Sequence, residues 1–271
     1  MIGLLISFAT MSILTSTPHW TITFQDEFDG KAGVAPSREH WARDLGGGGF
    51  GNHELESYTD GNSNAFLDGK GNLIIEARKE TTTGADGITR AYSSARLLTK
   101  SKFSQKYGRF EARMKIPRGQ GIWPAFWMLG EDIDHRGWPA CGEIDILESI
   151  GPVAKTVYGT LHGPGYSGGS GIQGRYNSEA PLSDDFHVYG IEWEPNVIRW
   201  YFDGKCYSTV TRERVGTHGW PFDQPFFIIM NLAVGGDWPG NPDATTTFPQ
   251  RLVIDYVRVY EQSGSLEALE R

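Results

Sequence analysis

The stretch GRFEARMKI, residues 108–116, alternates without a break. Phe110, Ala112, Met114 and Ile116 form an apolar row, and Arg109, Glu111, Arg113 and Lys115 a charged one. Side chains at i and i+2 share a face in a strand, so this period predicts a half-buried β-strand with its apolar row inward. Nine other segments have strand character: WTITFQDEF (20–28), GNLIIEARK (71–79), ARLLTKSKF (95–103), IWPAFWMLG (122–130), KTVYGTLHG (155–163), FHVYGIEWE (186–194), VIRWYFDG (197–204), PFFIIMNLAVGG (225–236) and RLVIDYVRVYE (251–261). DGKGN and FDGK carry turn chemistry, and HELESYTD (53–60) reads as one helical turn. No long amphipathic helix interrupts the strands. The pattern predicts an all-β sandwich rather than an alternating α/β sheet.

Composition agrees. Nine Trp, 11 Tyr, 14 Phe and 35 Gly among 271 residues favour pleated surfaces joined by turns. No repeat, linker or composition shift divides the chain, so one domain is expected over 19–262, followed by a frayed tail over 263–271. A net charge of −8 argues against a general nucleic-acid binder and says little about an uncharged ligand. Cys141 and Cys206 have no metal-ligand spacing, which leaves either one disulfide or two separate buried thiols. The apolar run Ile2–Leu14 suits a secretory leader over 1–18 and is too short to span a bilayer comfortably. It lacks a preceding Lys or Arg and a clean cleavage site, and a misassigned or truncated start is the plainer alternative. The expected location is extracellular, with no membrane span and no membrane partner.

CGEIDILESIG, residues 141–151, crowds Glu143, Asp145 and Glu148 together. In a regular strand Glu143 and Asp145 share a face, but continued alternation would expose Leu147 and drive Glu148 into the core. Burying a lone carboxylate costs several kcal/mol. A β-bulge near Ile146–Leu147 resolves the conflict by turning Leu147 inward and Glu148 back to the acidic face. It also shortens the Glu143–Glu148 backbone separation from about 16 Å to about 13–14 Å. Two Glu side chains leaning together then bring their carboxyls to ~5–6 Å, near the separation of about 5–5.5 Å used by retaining glycosidases. Like charges so close raise one pKa, so one carboxyl stays protonated while its partner ionises. Two plainer readings stand beside this: a solvated acidic face, or a cation site, although carboxylate-only Ca²⁺ sites sit more often on loops.

The flanking segments shift the balance. Trp123 and Trp127 are four apart and share a face, and Trp138 lies five residues before Glu143. Tryptophans alone are more often core than platform. Beside a carboxylate cluster they point to carbohydrate, because the C–H face of a sugar ring stacks on indole.

GIWPAFWMLG, WPACGEIDILE, GTLHGPG and IMNLAVGGDWPG together resemble glycoside hydrolase family 16, most closely its laminarinase-like endo-1,3-β-glucanases. FQDEFDG, GNHELESYT, DGKGNLIIEAR, FHVYGIEWEP, WYFDGK and DYVRVY are similar in the same order, so the resemblance spans about residues 20–261. It implies a β-jelly-roll sandwich of two antiparallel sheets with a concave substrate groove, acting with retention. By match to the motif, Glu143 is the nucleophile, Glu148 the general acid/base and Asp145 the assisting carboxylate. Asn52, Arg96, Trp123, Trp127, Trp138, His162 and Asn231 are implied as sugar-contacting residues, with Glu54 and Met230 lining the groove. The resemblance also implies a structural Ca²⁺ held by the carbonyls of Glu27 and Gly71 and the carboxylate of Asp255, with no cofactor for catalysis. The expected partner is a polysaccharide, β-1,3-glucan, met by a monomer. Lichenan, agar or carrageenan as substrate, transglycosylation, and a non-catalytic glucan-binding role remain the competing readings.

Overall fold

A computed structural model describes residues 19–263. The leader expected over 1–18, and the tail beyond 263, lie outside the described residues. Two antiparallel sheets, of eight and seven strands, enclose one large apolar core. The only α-helices among the described residues are the four-residue Ile133–Arg136 and Arg212–Val215.

The eight-stranded sheet runs Lys205–Thr211, Val197–Phe202, His187–Glu194, Gly108–Lys115, Gln250–Ser263, Leu73–Ala77, Ala65–Leu67. Gln250–Ser263 is 14 residues long. One edge pairs with Gly108–Lys115, and the other pairs end to end with Leu73–Ala77 and His19–Asp26. The alternation in 108–116 is realised: Phe110, Ala112, Met114 and Ile116 are buried in the core. On the opposite face Arg109 pairs with Glu111, Arg113 with Asp255, and Arg258 with Glu27. Glu111 is itself buried, because Arg109 and the Tyr260 hydroxyl both donate to its carboxylate.

The seven-stranded sheet runs Ile172–Asn177, Thr156–His162, Glu143–Glu148, Ile122–Gly130, Phe226–Val234, Arg96–Leu98, Ala42–Asp44. Its acidic strand is therefore central. Of 95–103 only Arg96–Leu98 is strand, since Thr99 opens a turn in which its carbonyl accepts from Lys102 and Phe103. The expected helical turn at 53–60 is also corrected. Glu56–Tyr58 is a short strand, fully buried and parallel to Tyr92–Ser94. Local pattern cannot reveal a pairing partner more than 30 residues away. Cys141 is buried and Cys206 exposed, and both are free thiols, so neither a disulfide nor two buried thiols is present.

Candidate active site

Ile122–Gly130 pairs Phe126 with Leu147 and the next residue, Trp127, with Asp145, so Ile146 is skipped. On the other side Asp145 opposes Thr160 while Glu148 opposes Tyr158. Three steps on one strand thus match two on its neighbour, which is the expected β-bulge. Ile146 and Leu147 both lie in the core, with Leu147 at 0% exposure, and Glu148 returns to the face that carries Glu143 and Asp145. The acidic strand owes its chemistry to this one irregularity.

Each outer acid is held by an indole. Trp138 Nε1 donates to Glu143 Oε2 at 2.9 Å, and Trp123 Nε1 donates to Glu148 Oε1 at 3.1 Å. Trp138 remains 49% exposed, so its ring faces the groove while its N–H is committed. His162 lies opposite Glu143 in register and brings Nε2 to 3.1 Å from Asp145 Oδ2 and 3.6 Å from Glu143 Oε1. Glu143, Asp145 and His162 also form a set geometrically able to hold a metal ion.

Burial dominates the proton affinities. It pushes Glu143 up to about 8, with Asp145 adding to the rise and His162, the Trp138 N–H and Arg96 opposing it. Burial likewise raises Asp145, against the hydrogen bond it shares with Glu143. Glu148 is raised well above the usual carboxylate range by burial, then by the charges of Asp145 and Glu143. Charges confined in a poorly solvated site keep protons that water would remove. The arrangement can therefore keep a neutral acid at Glu148, while His162 and the Trp138 N–H limit the rise at Glu143 and stabilise its anion when it ionises.

The other expected groove residues assemble around a second polar chain. Trp127 Nε1 donates to Asn231 Oδ1 at 2.7 Å, and the Arg96 guanidinium lies 4.7 Å from the Trp127 ring centre. Asn52 Nδ2 donates to Glu54 Oε1 at 3.2 Å. Met230 is fully buried in the core, so it backs the groove rather than lining it. Two groove aromatics were not singled out by sequence. Trp238, 38% exposed, makes edge contacts with Trp123 and with Tyr158, which pairs directly opposite Glu148. The GGDWPG turn could have flagged Trp238; Tyr158 is found only through strand register.

Of the residues implied for Ca²⁺, the Glu27 carbonyl oxygen lies 3.9 Å from where a Cβ on Gly71 would sit, so these two are neighbours. Asp255 is engaged otherwise: its Oδ2 accepts from Arg113 Nη1 at 2.6 Å.

Residues 54–258 match the family described as glycosyl hydrolases family 16. A beta-glucanase of Rhodothermus marinus is 46% identical over 255 residues, covering 90% of this chain and 86% of that one. Among solved structures, the catalytic domain of an endo-1,3-beta-glucanase (laminarinase) from Thermotoga petrophila superposes with a TM-score of 0.86 at 47% identity, over 92% of this chain and 100% of that one. An endo-beta-1,3-glucanase from Pyrococcus furiosus gives a TM-score of 0.86 at 48% identity, over 91% and 96%.

Proposed function

The chain belongs to glycosyl hydrolases family 16, and on that premise we propose that it cleaves internal β-1,3 bonds of β-glucans such as laminarin, with retention at the anomeric carbon. The observation that carries this reading is the Ile146–Leu147 bulge, which sets the Glu143 and Glu148 carboxyls on one groove face, each held by an indole N–H. Glu143 attacks the anomeric carbon as the bond to the departing sugar breaks, and Glu148 gives its proton to the leaving oxygen. Water then adds to the same carbon, returns a proton to Glu148 and releases Glu143. The net change is one glycosidic bond exchanged for one water. Asp145 hydrogen-bonds Glu143, and His162 steadies the negative charge the pair must carry. Asn52, Arg96, Trp123, Trp127, Trp138, His162 and Asn231 bind the sugars on either side of the cleaved bond.

Product profiling on laminarin, lichenan, agarose and carrageenan tests the reading. Short β-1,3-gluco-oligosaccharides from laminarin, with less from lichenan, are expected. Products from agarose or carrageenan with none from laminarin would overturn it, and binding without release of reducing ends would reduce the molecule to a glucan-binding scaffold.

A structural Ca²⁺ at the Glu27 and Gly71 carbonyls with Asp255 belongs to the same proposal, supported by the closeness of Glu27 and Gly71. The ion would draw Asp255 away from Arg113. Chelation should then lower Tm and leave the initial rate on laminarin near its starting value; an unchanged Tm would remove the ion from the account. The chain is further proposed to act outside the cell, which suits a polymeric substrate and the apolar run Ile2–Leu14, and to act as a monomer. Activity in culture medium and the elution volume on gel filtration test these two points.

A further inference from the structure

Beneath the groove runs a hydrogen-bonded chain whose direction is fixed by chemistry. An indole N–H can only donate, so Asn231 Oδ1 is the acceptor from Trp127 at 2.7 Å. The other end of that amide, Asn231 Nδ2, then donates to the Tyr58 hydroxyl oxygen at 3.1 Å. Tyr58 has a single proton, and it goes to Glu54 Oε2 at 3.0 Å. Glu54 Oε1 accepts from Asn52 Nδ2 at 3.2 Å. Every donor points towards Glu54, which accepts at both oxygens as an anion does. Glu54, Tyr58 and Asn231 are all buried, so water offers no substitute partner.

Glu56 completes the device. It is fully buried, its Oε2 accepts from the Val234 N–H at 2.7 Å, and its Oε1 faces no donor. Burial, reinforced by the charge of Glu54, holds Glu56 in the protonated form.

Both ends of the chain emerge at the groove. Trp127 pairs directly opposite Asp145, and its ring is flanked by the Arg96 guanidinium. The Asn52 carbonyl accepts from the Asp237 N–H at 2.9 Å, and so steers the loop that carries Trp238. We propose that Tyr58 is a positioning residue for substrate binding, fixing the Trp127 indole through Asn231 and Asn52 through Glu54. This rests on the sugar-binding role given above to Trp127 and Asn52. Tyr58 touches no substrate; its effect passes through groups that do.

The test is a double-mutant cycle of Tyr58→Phe and Trp127→Phe, read as KM and kcat on laminarin. Phe at 58 keeps the ring and strands two buried polar atoms, Asn231 Nδ2 and Glu54 Oε2. About a tenfold rise in KM is expected, with kcat within about twofold of wild type. In the Trp127→Phe background, where the indole N–H is gone, Tyr58→Phe should raise KM clearly less than it does in wild type, the remainder passing through Glu54 to Asn52. Fully multiplicative effects, or a fall in kcat and Tm at constant KM, would overturn the proposal and leave Tyr58 a packing residue. Should Tyr58→Phe fail to fold, Glu54→Gln enters the cycle in its place, with the same expected coupling and the same overturning result. Wild-type enzyme inactive on laminarin would sink the proposed function; active wild type with an unmoved variant KM would sink the relay alone.

Discussion

Glu143 and Glu148 have raised proton affinities because folding removes them from water and sets them beside Asp145. Their folded-state proton affinity exceeds that of the unfolded chain, so the stabilising contribution is complete below the unfolded value of 4.5 and is lost as pH rises through the folded value, about 8 for Glu143. Glu143→Gln removes one buried charge from that balance. Its Tm should match wild type at about pH 4 and exceed it progressively between about pH 5 and pH 9. Thermal melts across that range decide the sign; a variant that loses ground with rising pH would contradict it. Glu148→Gln bears on rate instead. An amide cannot deliver a proton to the leaving oxygen, and kcat on laminarin should fall by roughly 10²–10⁴-fold while binding of the polymer persists. Retained wild-type turnover would displace Glu148 from its role.

At the scale of the element, the bulge carries the site. Leu147 is the residue it turns inward, and Leu147→Ala should cost about 2–5 kcal/mol of stability by leaving a cavity between the sheets. Urea unfolding midpoints measure this; a loss under about 0.5 kcal/mol would mean Leu147 is not the buried anchor it is in the core. This feature was legible in sequence because it followed from a conflict: without an extra residue, a leucine faces solvent and a glutamate faces the core. The strand at 108–116 was legible for a similar reason, since its alternation admits one inward face. The segment 53–60 was not. Glu54 and Glu56 look like surface acids in a short turn, yet they are buried by partners far along the chain, Tyr92–Ser94, Asn231 and Val234. Non-local burial of polar groups leaves little local trace. Trp238 and Tyr158 escaped for the same reason, reaching the groove through a loop and a register that only pairing defines.

At the scale of the whole molecule, one sheet makes the groove and the other holds it in shape. Trp200, on the eight-stranded sheet, crosses the core and donates its indole N–H to the Asp145 carbonyl at 2.7 Å, at the edge of the bulge. Room for that indole comes from Gly159 on the seven-stranded sheet: a Cβ there would lie 2.3 Å from Trp200 Cδ1. The acidic strand is therefore braced from behind by a hydrogen bond inside the core, where no water can replace it. Trp200→Phe keeps an aromatic ring in the space and removes the donor. Stability should fall by about 1–3 kcal/mol, the usual cost of an unsatisfied buried carbonyl together with some lost packing. Because the carbonyl belongs to Asp145, kcat on laminarin should fall as well, at temperatures where the variant is still folded. Gly159→Ala reaches the same bond from the opposite sheet, by pushing the indole away. If bracing across the core is what shapes the acids, both variants lower kcat together with stability. A Trp200→Phe enzyme that melts early yet turns over laminarin at the wild-type rate would show that the seven-stranded sheet keeps its catalytic geometry unaided.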